Sequence, residues 1–214
     1  SQSLLTYISR HKLAERSAQQ EAITDVLTRL LNLNGFLRKL EEEIAAHDGN
    51  PETGFSLMLL DLDGFKRINE SLGLASGDQV LKITASRLKA CLKSDDVVAR
   101  LGSDNFGIIL RAEPSEKLAA TVGTRIVVAL KNFFEVGNTA LKLGASLGIT
   151  LFPNDGTDQQ TLLRNAELAL DHARMGGGGR YSFFDVTMAR NAEHRSQLEN
   201  DLRLAVRRNE LAIY

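Results

Sequence analysis

Apolar residues along this chain recur first at helical spacing and then in short, dense runs. Residues 3–31 contain no Gly or Pro and carry Leu4, Leu5, Ile8, Leu13, Ile23, Leu27, Leu30 and Leu31, which predicts one long N-terminal helix. The spacing loosens between 14 and 22, so a stalk helix joining an upstream module fits better than a regular coiled coil. A second helix is predicted from Asn34 to about His47, closed by the loop Gly49-Asn50-Pro51. Phe55 to Asp61 is a continuous apolar run of strand length, the pattern of a central strand covered on both faces. Asp78 to Leu92 reads as an amphipathic helix with Leu81, Ala85, Leu88 and Leu92 on one face and Asp78 as its cap. Val97 to Leu101 and Phe106 to Leu110 are short strands around the hairpin signal Gly102-Ser103-Asp104-Asn105.

Ser115 to Phe134 is helical in pattern, and Leu141, Leu143, Ala145, Leu147, Ile149 and Leu151 alternate with a period of two, as one strand would. Thr161 to Met175 is helical again, Tyr181 to Phe184 suits a last short strand, and 188–209 form a charged amphipathic helix. The four glycines Gly176 to Gly179 read as a flexible exit rather than a phosphate loop, since no strand precedes them and no helix follows. The order strand, helix, hairpin, helix, strand contains a split β-α-β arrangement. It predicts an α+β, ferredoxin-like fold with a mostly antiparallel central sheet flanked by helices.

Composition narrows the chemistry. The 214 residues carry 26 basic and 27 acidic side chains, a formal net charge of -1. No global field would draw in nucleic acid or an anionic membrane, so a phosphate ligand must be held locally. The single cysteine, Cys91, lies in a helical apolar pattern and fits core filler in a reducing, cytoplasmic setting. No apolar run approaches the roughly 20 residues of a membrane span, and no secretory signal opens the chain. The chain opens within a helical pattern and closes on Leu211-Ala212-Ile213-Tyr214, the beginning of a strand pattern, and so reads as a segment of a longer protein. His11, His47, His172 and His194 show no metal-ligand spacing.

Two carboxylates stand out by position. Asp61 ends the central apolar strand and Asp104 sits at the hairpin tip; paired strands would bring both to one end of the sheet. Oxygen ligands in that arrangement suit Mg²⁺ with substrate phosphates. A capping aspartate and a turn aspartate are the plainer reading of the same residues.

The sequence around them carries a resemblance. Asp61-Leu62-Asp63-Gly64-Phe65-Lys66-Arg67-Ile68-Asn69, followed by Gly73 and Gly77-Asp78, closely resembles the GGDEF family's D-x-D-x-F-K-x-I-N strand and turn with the G-H-x-x-G-D that follows. Asp25-Val26-Leu27-Thr28 with Leu31, Asn32 and Phe36, then Arg100 to Phe106, Ala145 to Gly148, Pro153 to Gly156 and Ala166 to Leu170 match further pieces in order, over roughly 25–185. The resemblance implies a palm-like cyclase core, which in active members joins two GTP into cyclic di-GMP across a homodimer. It implies Asp61, Asp104 and the Leu62 carbonyl as Mg²⁺ ligands. Lys66 and the N–H groups from Asp63 to Phe65 would hold phosphates, with Arg174 in place of a lysine. Asn69 and Asp78 would read guanine.

The signature itself departs from the family. It reads Gly102-Ser103-Asp104-Asn105-Phe106, preceded by Arg100. Asn105 stands where active members carry a glutamate, and an amide neither accepts a proton near neutrality nor binds Mg²⁺ well. Ser103 replaces a glycine, which is awkward if the backbone needs φ > 0. Leu74 replaces a histidine and Gly178 a phosphate-binding arginine. The product-inhibition motif R-x-x-D is represented by Lys93 and Asp96, and lysine lacks arginine's planar fork. The tail from Leu198 resembles the opening of an EAL phosphodiesterase domain.

These observations divide the chain into a stalk over 1–24, a GGDEF domain over 25–185, and a linker helix with the start of an EAL domain over 186–214. The leading reading is a degenerate GGDEF domain that regulates through GTP binding or dimerisation. Its expected partners are GTP, the adjoining EAL domain, an upstream sensor and a second copy. An active diguanylate cyclase and a structural spacer without nucleotide are the alternatives.

Overall fold

The computed structural model describes residues 23–47, 53–111 and 115–207. Its elements, in chain order, are α1 (Leu33–His47), β1 (Phe55–Asp63), α2 (Phe65–Leu72), α3 (Leu74–Cys91), β2 (Val97–Arg100), β3 (Asn105–Leu110), α4 (Glu116–Lys131), β4 (Phe134–Val136), β5 (Thr139–Leu141), β6 (Gly144–Phe152), α5 (Gln159–Met175), β7 (Tyr181–Phe183) and α6 (Val186–Arg207). A five-stranded sheet runs in the order β2-β3-β1-β6-β7, and β4-β5 form a separate two-stranded sheet. β1 pairs antiparallel with both β3 and β6, and only β6 with β7 is parallel.

β1 is apolar throughout because both its faces are covered. Met58, Leu60 and Leu62 point into a cluster with Val80, Leu88, Ile126 and Leu130 from α3 and α4. Phe55 and Leu57 point the other way, to Phe36 and Leu40 of α1 and Leu162 and Ala166 of α5. Two glycines let helices close on that second face. A Cβ on Gly107 would meet the Phe36 ring at 2.6 Å, and one on Gly148 would lie 2.0 Å from the Ala166 carbonyl oxygen and 2.3 Å from the Leu170 amide nitrogen.

Four expectations change. The N-terminal helix expected over 3–31 lies outside the described residues up to 22, and the chain from 24 to 31 is not helical. Thr24 and Leu31 form an antiparallel bridge around a tight turn. The Asp25 carboxylate accepts from the Thr28 N–H (2.8 Å) and hydroxyl (2.6 Å), and Arg29 sits at φ 59. Such side-chain bonds offer the backbone an alternative to the helix that periodicity alone suggests. The helix expected from Asp78 starts at Leu74, so Asp78 is not its cap. Gly77 resembles a loop residue but is helical; it is small because a Cβ there would lie 1.9 Å from the Asn69 Oδ1 of α2. The helix expected to Phe134 ends at Lys131, and Phe134 opens β4. The single strand expected over 141–151 is two, β5 and β6.

The glycine exit is also more defined than a flexible link. Gly177, Gly178 and Gly179 all have positive φ (100°, 70° and 62°), and the Gly179 N–H donates to the Asp63 carboxylate at 2.7 Å.

Arg100 ties the N-terminal turn to the hairpin. Its guanidinium donates to the Ser103 carbonyl (2.9 and 3.3 Å) and pairs with the Asp25 carboxylate at 3.2 Å. The Leu31 carbonyl accepts from the Arg100 N–H at 2.8 Å, and Leu31 bridges Ala99, which covers the β2 edge.

Gly148→Ala should destabilise the domain by about 3 kcal/mol, because the new methyl meets α5 backbone rather than a movable side chain; urea unfolding measures this. Asp25 gives a pH signature. Burial pushes its carboxyl up, but the Thr28 hydroxyl and N–H and the Arg100 charge outweigh that and hold it below the ordinary 3.8. Its stabilisation is therefore full above the unfolded value and is lost as pH falls through the folded one. Asp25→Asn should cost about 1–2 kcal/mol at pH 7, and the gap from wild type should close in melts below about pH 3.

Candidate nucleotide site

The end of β1 collects most of the residues that the sequence singled out. Asp61 stands opposite Asn105 in the β1–β3 register and opposite Ser146 in β6. One residue on, the Leu62 N–H donates to the Asp104 carbonyl at 3.3 Å. The hairpin tip thus lies beside the C-terminal end of the central strand, as expected, and Asp61 and Asp104 feel each other's charge. Burial pushes the Asp61 carboxyl above the usual carboxylate range; the Arg174 charge opposes this, while Asp104 and Asp63 add to it.

Arg174 reaches this end from the last turn of α5. It pairs with Asp61 at 2.5 Å and with Asp171 at 3.3 Å. Asp63, the second acid of the D-x-D run, turns away from that pair. Its carboxylate accepts from the Ser146 hydroxyl (2.7 Å) and the Gly179 N–H (2.7 Å), so it fastens the glycine turn to the sheet. Sequence reasoning used Asp63 only for its backbone N–H; its spacing from Asp61, on the same face of β1, was the available signal. Gly178 adjoins the same carboxylate, with a Cβ there 2.9 Å from Asp63 Oδ2.

α2 starts directly after β1, with Gly64 as N-cap at φ 78 and no side chain capping it. Phe65 is buried. Lys66 is 88% exposed, 3.8 Å from Glu70. Asn69 faces α3 with its Oδ1 buried and without a hydrogen-bond partner. Asp78 is exposed on α3, within the turn that follows Gly73. A cleft of about 460 Å³ runs along α2 from the end of β1, lined by Asp63, Gly64, Arg67, Ser71, Lys142 and Leu143.

Three further sequence features have a defined place. Ser103 carries no strain, since Arg29 is the one non-glycine residue with positive φ among the described residues. Arg100 holds the hairpin tip in place through Ser103 and Asp25. Lys93 and Asp96 lie away from this site in a braced turn, where the Asp96 carboxylate accepts from the Lys93 N–H (2.8 Å) and the Arg111 N–H (3.1 Å).

Whether the donor set suits Mg²⁺ can be judged from its chemistry. Asp61 and Asp104 are hard oxygen donors crowded into one half-buried corner, a concentration of negative charge that a divalent cation would relieve. Among the described residues no group of three or more His, Cys, Asp or Glu side chains is arranged around a metal position, so phosphate oxygens would have to complete the shell. No helix among the described residues is long and apolar enough to cross a membrane.

Known proteins resemble this chain in sequence and fold. Residues 22–180 match the family described as diguanylate cyclase, GGDEF domain. MucR of Pseudomonas aeruginosa, named a bifunctional diguanylate cyclase/cyclic di-GMP phosphodiesterase, is 35% identical over 204 residues, covering 94% of this chain and 29% of that protein. The Escherichia coli cyclic di-GMP phosphodiesterase PdeR is 31% identical over 209 residues, 98% of this chain and 31% of its own length. The chain therefore spans under a third of these curated relatives. Among solved structures, the GGDEF domain of TpbB (YfiN) from Pseudomonas aeruginosa superposes with a TM-score of 0.76 at 27% identity, over 79% of this chain and 99% of that one. The coiled coil and GGDEF domain of Caulobacter crescentus DgcB share the fold, with a TM-score of 0.77 at 24% identity over 85% of this chain and 95% of that one. With the family matched over most of its length and relatives above 30% identity along nearly all of it, this chain belongs to the diguanylate cyclase GGDEF-domain family.

Proposed function

We propose that this GGDEF domain is a regulatory GTP-binding module of a cyclic di-GMP signalling protein, weakened as a cyclase and set beside an EAL phosphodiesterase domain. The observation that carries the reading is Asn105 directly opposite Asp61. An amide in that place leaves Asp61 and Asp104 without the further carboxylate, and loss of a general base costs about 10²–10⁴ in rate. The relatives named as cyclic di-GMP phosphodiesterases support the composite context. In it, residues 1–24 are the stalk from a sensor, 25–185 the GGDEF unit, and 186–214 the linker helix into the EAL domain, with a second copy as the dimer partner.

Retained groups favour binding over an empty spacer. Asp61, Asp104 and the Leu62 carbonyl would hold Mg²⁺, which when bound neutralises the charge of a triphosphate. The start of α2, where no side chain caps the N-terminus at Gly64, suits a phosphate near Asp63 to Phe65, and Lys66 and Arg174 supply positive charge. The Asn69 Oδ1 packs against Gly77 without a hydrogen-bond partner, so no bond holds it there, and turned outward it would accept from guanine's N1–H or amino group. Asp78, exposed beside it, accepts from the same edge. Arg100 positions the hairpin tip rather than touching a reacting atom.

Calorimetric titration should find Mg²⁺-dependent GTP binding, while chromatography finds little or no cyclic di-GMP. Asp61→Ala should weaken the Mg²⁺-dependent binding. Asn69→Ala should lower the preference for guanine over adenine by about tenfold or more, since an unpaired base edge discriminates poorly. Asn105→Glu with Ser103→Gly should recover some turnover. Vigorous synthesis by the unmodified protein would make it a cyclase outright, and no GTP binding at millimolar concentrations would make the domain a spacer.

A further inference from the structure

Arg174 differs from the other cations near the site in what it touches. Lys66 is almost wholly solvated and only distantly paired with Glu70. The Arg174 guanidinium, by contrast, is pressed onto Asp61 at 2.5 Å, with the Asp61 side chain only 14% exposed, and is braced from behind by Asp171 at 3.3 Å. Asp61 lies near the end of the central strand, with Asp104 and Asp63 adding negative charge around it. The guanidinium holds one Asp61 oxygen, Oδ2, and its positive charge repels a divalent cation approaching the same carboxylate, so the two compete for this corner.

We propose that Arg174 and a divalent cation are alternative partners of Asp61, so that the arginine fills the cation position in the ligand-free domain and must leave before metal enters. The proposal rests on the reading of Asp61 and Asp104 as oxygen donors to Mg²⁺. The family's lysine at this position explains why the substitution matters. A flat guanidinium donates to Asp61 and Asp171 through different nitrogens at once, whereas an ammonium is a compact point charge without that fork. A phosphate bound with the metal would give the displaced guanidinium a new anion to pair with. Metal and triphosphate therefore bind as a pair: metal alone must expel Arg174 into water, while the metal–triphosphate complex offers it a new anion.

The test uses Mn²⁺ alone, without nucleotide, followed by electron paramagnetic resonance. Wild type should bind Mn²⁺ weakly, Arg174→Gln about tenfold more tightly, and Arg174→Lys in between. Adding Asp61→Asn to Arg174→Gln should abolish the gain. Unchanged Mn²⁺ affinity in Arg174→Gln, or a gain that survives Asp61→Asn, overturns the proposal. A second measurement needs no variant to fold: the Arg174 side-chain ¹⁵N signals of the wild-type protein should shift on Mg²⁺ addition, and signals that stay fixed while Asp61 resonances move would also overturn it. These readouts are separate from GTP affinity. A domain that binds no GTP but shows the Arg174 effect would sink the functional reading and leave the exchange standing.

Discussion

The approach of α5 to the sheet at Gly148 is the constraint on which the site depends. With no side chain on that residue, the Ala166 and Leu170 backbone rests directly on β6. Only this close contact brings the last turn of α5, and with it Arg174, level with the end of β1. The same helix then passes into the glycine turn that Asp63 fastens back to the sheet. A bulkier residue at 148 would lift the helix and separate the cation from the carboxylate together.

The hairpin side of the site is built by a different device. Arg100 spans the carbonyl of Ser103 and the carboxylate of Asp25, so the N-terminal turn and the hairpin tip form one hydrogen-bonded unit. The acids at the site are thus approached from two supports, one helical and one a loop braced by a charge-assisted pair. Neither support runs through the side chain at 105. Packing and hydrogen bonding, rather than the groups that face the nucleotide site, hold the frame of the domain.

Much of this was legible in the residues. The continuous apolar run of β1 announced a strand covered on both faces, and that burial is observed. The hairpin and the meeting of Asp61 with Asp104 followed from strand pairing, since a turn of known position fixes which residues face each other. Contacts set by distant segments were not legible. Periodicity could not foresee that Asp25 would bond Thr28 and Arg100 and so interrupt the helical pattern after 23. Gly77 carried the composition of a loop, yet its cause is the neighbouring Asn69 on another helix. The pairing of Arg174 with Asp61 joins residues more than a hundred positions apart, and no local pattern encodes such a contact.

The glycine turn after α5 has a consequence for which residues the chain accepts there. The backbone of Gly178 is left-handed and lies against the Asp63 carboxylate. A side chain placed at that position would meet both a disfavoured conformation and an occupied space. The turn therefore constrains what can follow α5: any single substitution at 178 is opposed by backbone conformation and by the Asp63 carboxylate together, and a side chain there requires the whole turn to be rebuilt.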